Sequence, residues 1–237
     1  MTFIFNVKSF LWLFICWIGF GSVYAKSDKF RCIWRDNPAT TMTIGWNQVS
    51  GSSPVVHYGV MTSNKSSLNT TKKPSKVTMA KGMNNHFARL TGLQPNTAYS
   101  FIIKDSQGSS AVFSFQTAPS SPYSRLSIIA GGDSRNHRKG RQNANKLVSK
   151  LRPHCVVFGG DMTGLDRSGQ WKNWFDDWQA TISSDGRMTP IVVTRGNHEY
   201  SNRTLIELFD LKHKGAYYVL IYCIGIHSSY RTILLFY

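Results

Sequence analysis

Three times in the second half of this chain a short apolar run ends in glycine and then in a residue able to bind an ion. Leu126-Ser127-Ile128-Ile129-Ala130 leads into Gly132-Asp133, Cys155-Val156-Val157-Phe158 into Gly160-Asp161, and Ile191-Val192-Val193-Thr194 into Gly196-Asn197-His198-Glu199. Runs this short, closed by glycine, predict buried strands. Between the first two, Ala144, Leu147, Val148 and Leu151 fall at helical spacing and predict one apolar face on a helix that Pro153 stops. Between the second and third, Trp171, Trp174, Phe175 and Trp178 share a face that reads as core packing. Strands alternating with helices imply a layered α/β domain around a largely parallel sheet. Ligands of such a sheet gather beyond the carboxyl ends of its strands, where Asp133, Asp161, Asn197 and His198 all fall. Two carboxylates, an amide oxygen and imidazoles suit a pair of divalent or trivalent metals, and the glycines let the backbone turn sharply beside them.

The first half has a different rhythm. From Phe30 to about Thr117, short runs such as Met42–Trp46, Val55–Val60 and Tyr99–Ile103 are broken by turn residues, the pattern of a small β-sandwich. Leu93-Gln94-Pro95-Asn96-Thr97-Ala98-Tyr99 resembles the corner of fibronectin type III domains, where a tyrosine hydroxyl bonds to nearby backbone. Ala118-Pro119-Ser120-Ser121-Pro122 has linker composition. The expected organisation is a sandwich over 26–118, a linker over 119–123, an α/β domain over 124–220 and an unrelated tail over 221–237.

Lys8, an apolar run from Phe10 to Phe20 and Val23-Tyr24-Ala25 have the order of a secretory signal over 1–25. The run is shorter than the roughly 20 residues a spanning helix needs, so cleavage leaves no stable membrane anchor and a secreted or periplasmic chain is expected. Cys16 leaves with the signal; Cys32, Cys155 and Cys223 form no disulfide framework, and Cys155 reads as core. The net charge of +16 favours anionic surroundings without choosing among them. The basic residues are spread along the chain apart from Arg135, Arg138, Lys139 and Arg141, and a solvated basic surface accounts for most of them.

The three glycine-headed turns in order, Gly-Asn-His-Glu above all, resemble the first three motifs of calcineurin-like metallophosphoesterases. The preceding fibronectin-like module, with Ile33-Trp34-Arg35-Asp36-Asn37-Pro38-Ala39-Thr40-Thr41-Met42, narrows the likeness to the purple acid phosphatases and their bacterial relatives. The resemblance implies a β-sandwich followed by an incomplete layered α/β/β/α domain, and hydrolysis of phosphate monoesters at a dinuclear iron, zinc or manganese site. It implies that Asp133 ligates one metal, Asp161 bridges both, Asn197 ligates the second, and His198 stabilises the transition state or protonates the leaving group. Arg135 and His137 lie close enough in sequence to contact phosphate; surface solvation is the open alternative for both.

The pattern is broken in three places. Purple members carry a tyrosine three residues after the bridging aspartate, where this chain has Gly164; the variant with a histidine two residues after the first aspartate has Arg135 instead. The later metal-binding histidines of the family have no counterpart, and Tyr217–Tyr237 is an apolar, tyrosine-rich run that reads as a truncated or frameshifted end, with a terminal hydrophobic strand or a genuine short variant as the lower-ranked alternatives. Each metal would then keep about two protein ligands, fewer than the three or four of a catalytic zinc-like ion. Impaired hydrolysis is the expectation. The other readings are a non-catalytic remnant acting through the sandwich, and a phosphodiesterase or nuclease suited to the charge, with nucleic acid the less expected partner.

Overall fold

The computed structural model describes residues 26–62, 67–121, 123–212, 215, 218–222 and 232–236. The expected signal segment over 1–25, Cys16 and Cys223 lie outside the described residues.

The sandwich is built from β1 (Ser27–Ile33), β2 (Met42–Gln48), β3 (Val55–Val60), β4 (Thr70–Lys72), β5 (Lys76–Ala80), β6 (Met83–Leu90), β7 (Ala98–Asp105), β8 (Gly108–Ser109) and β9 (Phe113–Gln116). One layer runs β1-β2-β6-β5; the other runs β4-β3-β7-β8, with β9 also on β7. Trp46, Phe87, Phe101 and Phe115 are buried in its core. The predicted tyrosine corner is present: the Tyr99 hydroxyl accepts the backbone N–H of Gln94 at 2.8 Å.

Next come β10 (Ile128–Gly131), α1 (Arg138–Leu151), β11 (Cys155–Phe158), α2 (Ser168–Trp178), β12 (Ile191–Val193) and α3 (Asn202–Phe209). β10, β11 and β12 are parallel neighbours, as the spacing of their runs predicts. The last described elements, β13 (Tyr218–Tyr222) and β14 (Thr232–Phe236), form an antiparallel pair. The fold class is the expected one, a β-sandwich followed by layered α/β structure.

The two parts share one sheet. β12 pairs in parallel with β1 at Ile33 and Ile191, and the Trp34 N–H donates to the Ile191 carbonyl at 3.2 Å. The result is a seven-stranded sheet in the order β10-β11-β12-β1-β2-β6-β5. Arg31, fully buried, fastens this seam. Its Nε donates to the Leu208 carbonyl at 2.9 Å, Nη1 to the Lys29 carbonyl at 2.9 Å, and Nη2 to Asn85 Oδ1 at 2.8 Å. The guanidinium also lies over the rings of Phe175 and Phe87, 4.6 and 5.1 Å from their centroids. Burial pushes its pKa down to about 9, which leaves it charged at neutral pH.

Two expectations need correction. The apolar face of α1 is not the buried one: Leu147 and Leu151 are exposed, and the helix buries Arg141, Asn145 and Val148. The cause is Asp177 on α2, whose carboxylate accepts from Arg138, Arg141 and Gln142 and whose carbonyl accepts from Asn145. A shared buried carboxylate outweighs a modest apolar stripe in choosing the helix's rotation. β10, in turn, is an edge strand with Ile128, Ala130 and Gly131 exposed, because its only sheet neighbour among the described residues is β11. The α2 stripe is core: Trp171, Trp174, Phe175 and Trp178 are buried, with Trp174 stacked on Trp178 at 5.4 Å. Cys32 and Cys155 are free, buried thiols whose pKa burial raises.

Arg31→Ala removes three hydrogen bonds and leaves a cavity at the seam, which should cost about 3–5 kcal/mol. Urea unfolding followed by tryptophan fluorescence checks this. Because the sheet is continuous, the transition should stay single; separate unfolding of sandwich and α/β part in the parent chain would refute the seam's role.

Candidate functional site

The turns that follow β10, β11 and β12 are laced together by their backbones. The Asp133 N–H donates to the Gly160 carbonyl at 2.9 Å, and the Arg135 N–H to the Asp161 carbonyl at 2.9 Å. Asp133, Arg135 and Asp161 have φ of +50°, +37° and +53°, left-handed values that cost a non-glycine residue about 1–2 kcal/mol each. Such strain persists only where the surroundings over-determine it. Glycine is obligatory at two places: a Cβ on Gly160 would run into the backbone of Gly196, and one on Gly196 into the carboxylate of Asp161.

Glu199 supplies the restraint. Its side chain is buried, Oε2 accepts the N–H groups of Asp161 and Gly196 at 2.8 Å each, and Oε1 accepts that of Met162 at 2.7 Å. One carboxylate therefore clamps the second turn to the third. Its place in Gly-Asn-His-Glu is the only signal the sequence offers, and that motif alone does not reveal this role.

A second buried carboxylate sets the first turn. Asp177 holds Arg141 at 2.6 Å, and the Nη1 of Arg141 reaches forward to donate to the Arg135 carbonyl at 2.6 Å and the Ser134 hydroxyl at 3.2 Å. Burial pushes the Asp177 carboxyl's pKa up, but Arg138, Gln142 and Arg141 outweigh it and hold the group below its ordinary value.

These turns border an open groove of about 690 Å³, lined by Asp133, Ser134, Arg135, His137, Gly164 and His198 among others. The Arg135 Nε donates to Asp133 Oδ1 at 2.6 Å, and its Nη2 lies 3.7 Å from Asp161 Oδ2. Asp161 is buried and its Oδ1 accepts the His198 N–H at 2.9 Å, while Asp133 is exposed. His198 Nδ1 meets the Gly164 carbonyl at 2.7 Å. A carbonyl only accepts, so Nδ1 carries the hydrogen and Nε2 is the ring nitrogen left for a ligand. His137 precedes α1 and is exposed; Asn197 is exposed in the third turn and is not among the groove's lining residues. Asp133, Arg135, Asp161, His137 and His198 thus gather around one edge.

The sequence profile described as the purple acid phosphatase N-terminal domain matches residues 28–117. Residues 28–117 are therefore similar to the N-terminal domain of purple acid phosphatases. No curated protein sequence matches the chain. Among solved structures, purple acid phosphatase PPD1 from seeds of yellow lupin (Lupinus luteus) is similar with a TM-score of 0.64 at 12% identity, over 83% of this chain and 43% of that one. The structure of PhoD is similar with a TM-score of 0.60 at 13% identity, over 82% of this chain and 49% of that one. These likenesses show the fold, and the chain spans less than half the length of either structure. They extend beyond residues 28–117, so the α/β layers that follow the purple acid phosphatase-type domain share the fold as well.

The metal centre implied by the resemblance does not fit the residues present. Among the described residues no group of three or more His, Cys, Asp and Glu side chains could hold a metal ion. Glu199 is committed to backbone N–H groups, and a guanidinium stands between the other two carboxylates, Asp133 and Asp161. Two carboxylates and an exposed amide fall short of the three or four ligands a catalytic ion needs. No helix among the described residues is long and apolar enough to cross a membrane.

Glu199→Ala leaves three backbone N–H groups without their acceptor and should cost at least about 3 kcal/mol, read from the shift in the urea midpoint. Asp177 gives a pH signature. Its carboxyl pKa is depressed in the folded state, so its stabilisation is full above the unfolded value of about 3.9 and is lost as pH falls through the lower folded value. Acid titration of stability should show that limb in the parent chain and a shallower one in Asp177→Asn.

Proposed function

We propose that the chain is built as an acid phosphatase-like hydrolase whose groove receives the phosphoryl group of a phosphate monoester, with the hydrolytic step impaired. The observation that carries the reading is the convergence of Asp133, Arg135, Asp161 and His198 on the carboxyl edge of three parallel strands, behind a purple acid phosphatase-type N-terminal domain. Each of the chain's own residues has a role there. Arg135 and His137 offer donors to phosphoryl oxygens, and a guanidinium fork suits that geometry. His198, fixed by the Gly164 carbonyl, presents Nε2 to a phosphoryl or leaving-group oxygen. The described residues supply no activated nucleophile, which is the physical content of the impairment. The signal-like segment over 1–25 supports action outside the cytoplasm.

Hydrolysis of p-nitrophenyl phosphate, assayed with manganese, zinc, iron or no added metal, should not exceed the buffer rate. Inorganic phosphate should still perturb the ring signals of His137 and His198 in NMR spectra, and His198→Ala should weaken its binding about fivefold, the loss of roughly 1 kcal/mol from one hydrogen bond. Metal-dependent turnover that disappears in Asp161→Asn would overturn the impairment. Absence of phosphate binding would overturn the ligand and leave the sandwich as a non-catalytic binding module.

A further inference from the structure

We propose that the Arg135 guanidinium is the resident cation of this site: it holds the place between Asp133 and Asp161 that a divalent metal would take, and it keeps such ions out. This inference does not rest on the phosphate reading, because it concerns only the two carboxylates and what lies between them.

The position of Arg135 is built. Its N–H donates to the Asp161 carbonyl at 2.9 Å and its carbonyl accepts Arg141 Nη1 at 2.6 Å, so both of its peptide groups are tied. Arg141 is in turn buried against Asp177. The backbone is held at φ +37°, an unfavourable value for a side chain this large, and this fixed turn delivers the guanidinium to both carboxylates. A surface arginine free to wander needs none of these restraints.

The chemistry of exclusion is simple. A guanidinium has donors and no lone pair, so it cannot become a ligand to an arriving ion. A divalent cation must either displace it or sit beside it against like-charge repulsion in a partly screened site. Asp161 Oδ1 is committed to the His198 N–H, which leaves Oδ2, the atom facing Arg135, as its freer oxygen. Displacing Arg135 therefore opens a pair of carboxylate oxygens on one edge.

The test is direct metal binding, measured by calorimetry with Mn²⁺ and Zn²⁺ on the full chain. Arg135→Gly is the informative variant, because glycine accepts the left-handed backbone and removes the cation. It should bind Mn²⁺ at least tenfold more tightly than the parent chain, and Asp161→Asn in that background should abolish the gain. Arg135→Lys keeps the charge and should stay like the parent. Equal affinity of parent and Arg135→Gly, or a gain that survives Asp161→Asn, overturns the proposal; so does a Lys variant that binds as tightly as the Gly variant. Phosphate binding and hydrolysis do not enter the readout, so failure here and failure of the phosphate reading are distinguishable.

Discussion

The molecule is organised around one buried charge at the seam between its two parts. Arg31 sits where β1 meets β12, with its donors on two backbone carbonyls and an amide, and its planar face on Phe175 and Phe87. A guanidinium taken from water is expensive unless its donors are met, and here each of its three nitrogens makes a hydrogen bond. Its partners come from β1, β6 and α3, so the sandwich layer and the α/β layers are held in one register. That register matters for the site: β12, which carries the third turn, is flanked by β11 on one side and β1 on the other.

Much of this architecture could be read from local pattern. The parallel strands, the Tyr99 corner and the tryptophan face of α2 each follow from a signal confined to a few neighbouring residues. What escaped was decided at long range. The rotation of α1 is set by Asp177, more than thirty residues away from the arginines it holds, and the exposure of β10 depends on which strand lies beside it. Nothing in the residues around Arg31 announces that Leu208 and Asn85 will meet its charge.

The candidate site divides the same way. Glycine before a polar residue at three strand ends puts Asp133, Asp161, Asn197 and His198 in the turns after parallel strands, because the topology of such a sheet brings those turns to one edge. Glu199 carries no such signal. Its three acceptor bonds depend on the second and third turns lying together, and that contact exists only in the folded sheet. Arg135 was legible as a departure from the family pattern, but its consequence was not, since it depends on the distance of its fork from two carboxylates.

The use of acidic residues links fold and site. The chain has 12 Asp and Glu against 28 Lys and Arg, and its buried carboxylates are already committed. Asp177 serves Arg138 and Arg141; Asp210 serves Arg89, Arg35 and Lys76; Asp166 serves Lys81 and the Trp171 indole; Glu199 serves backbone N–H groups. With acids scarce and structural duties many, the strand edge retains Asp133 and Asp161. A basic chain of this kind meets two neighbouring carboxylates most simply with one of its own cations. Arg135 is the nearest in sequence, and the turn that strains it into place is the same turn that presents Asp133.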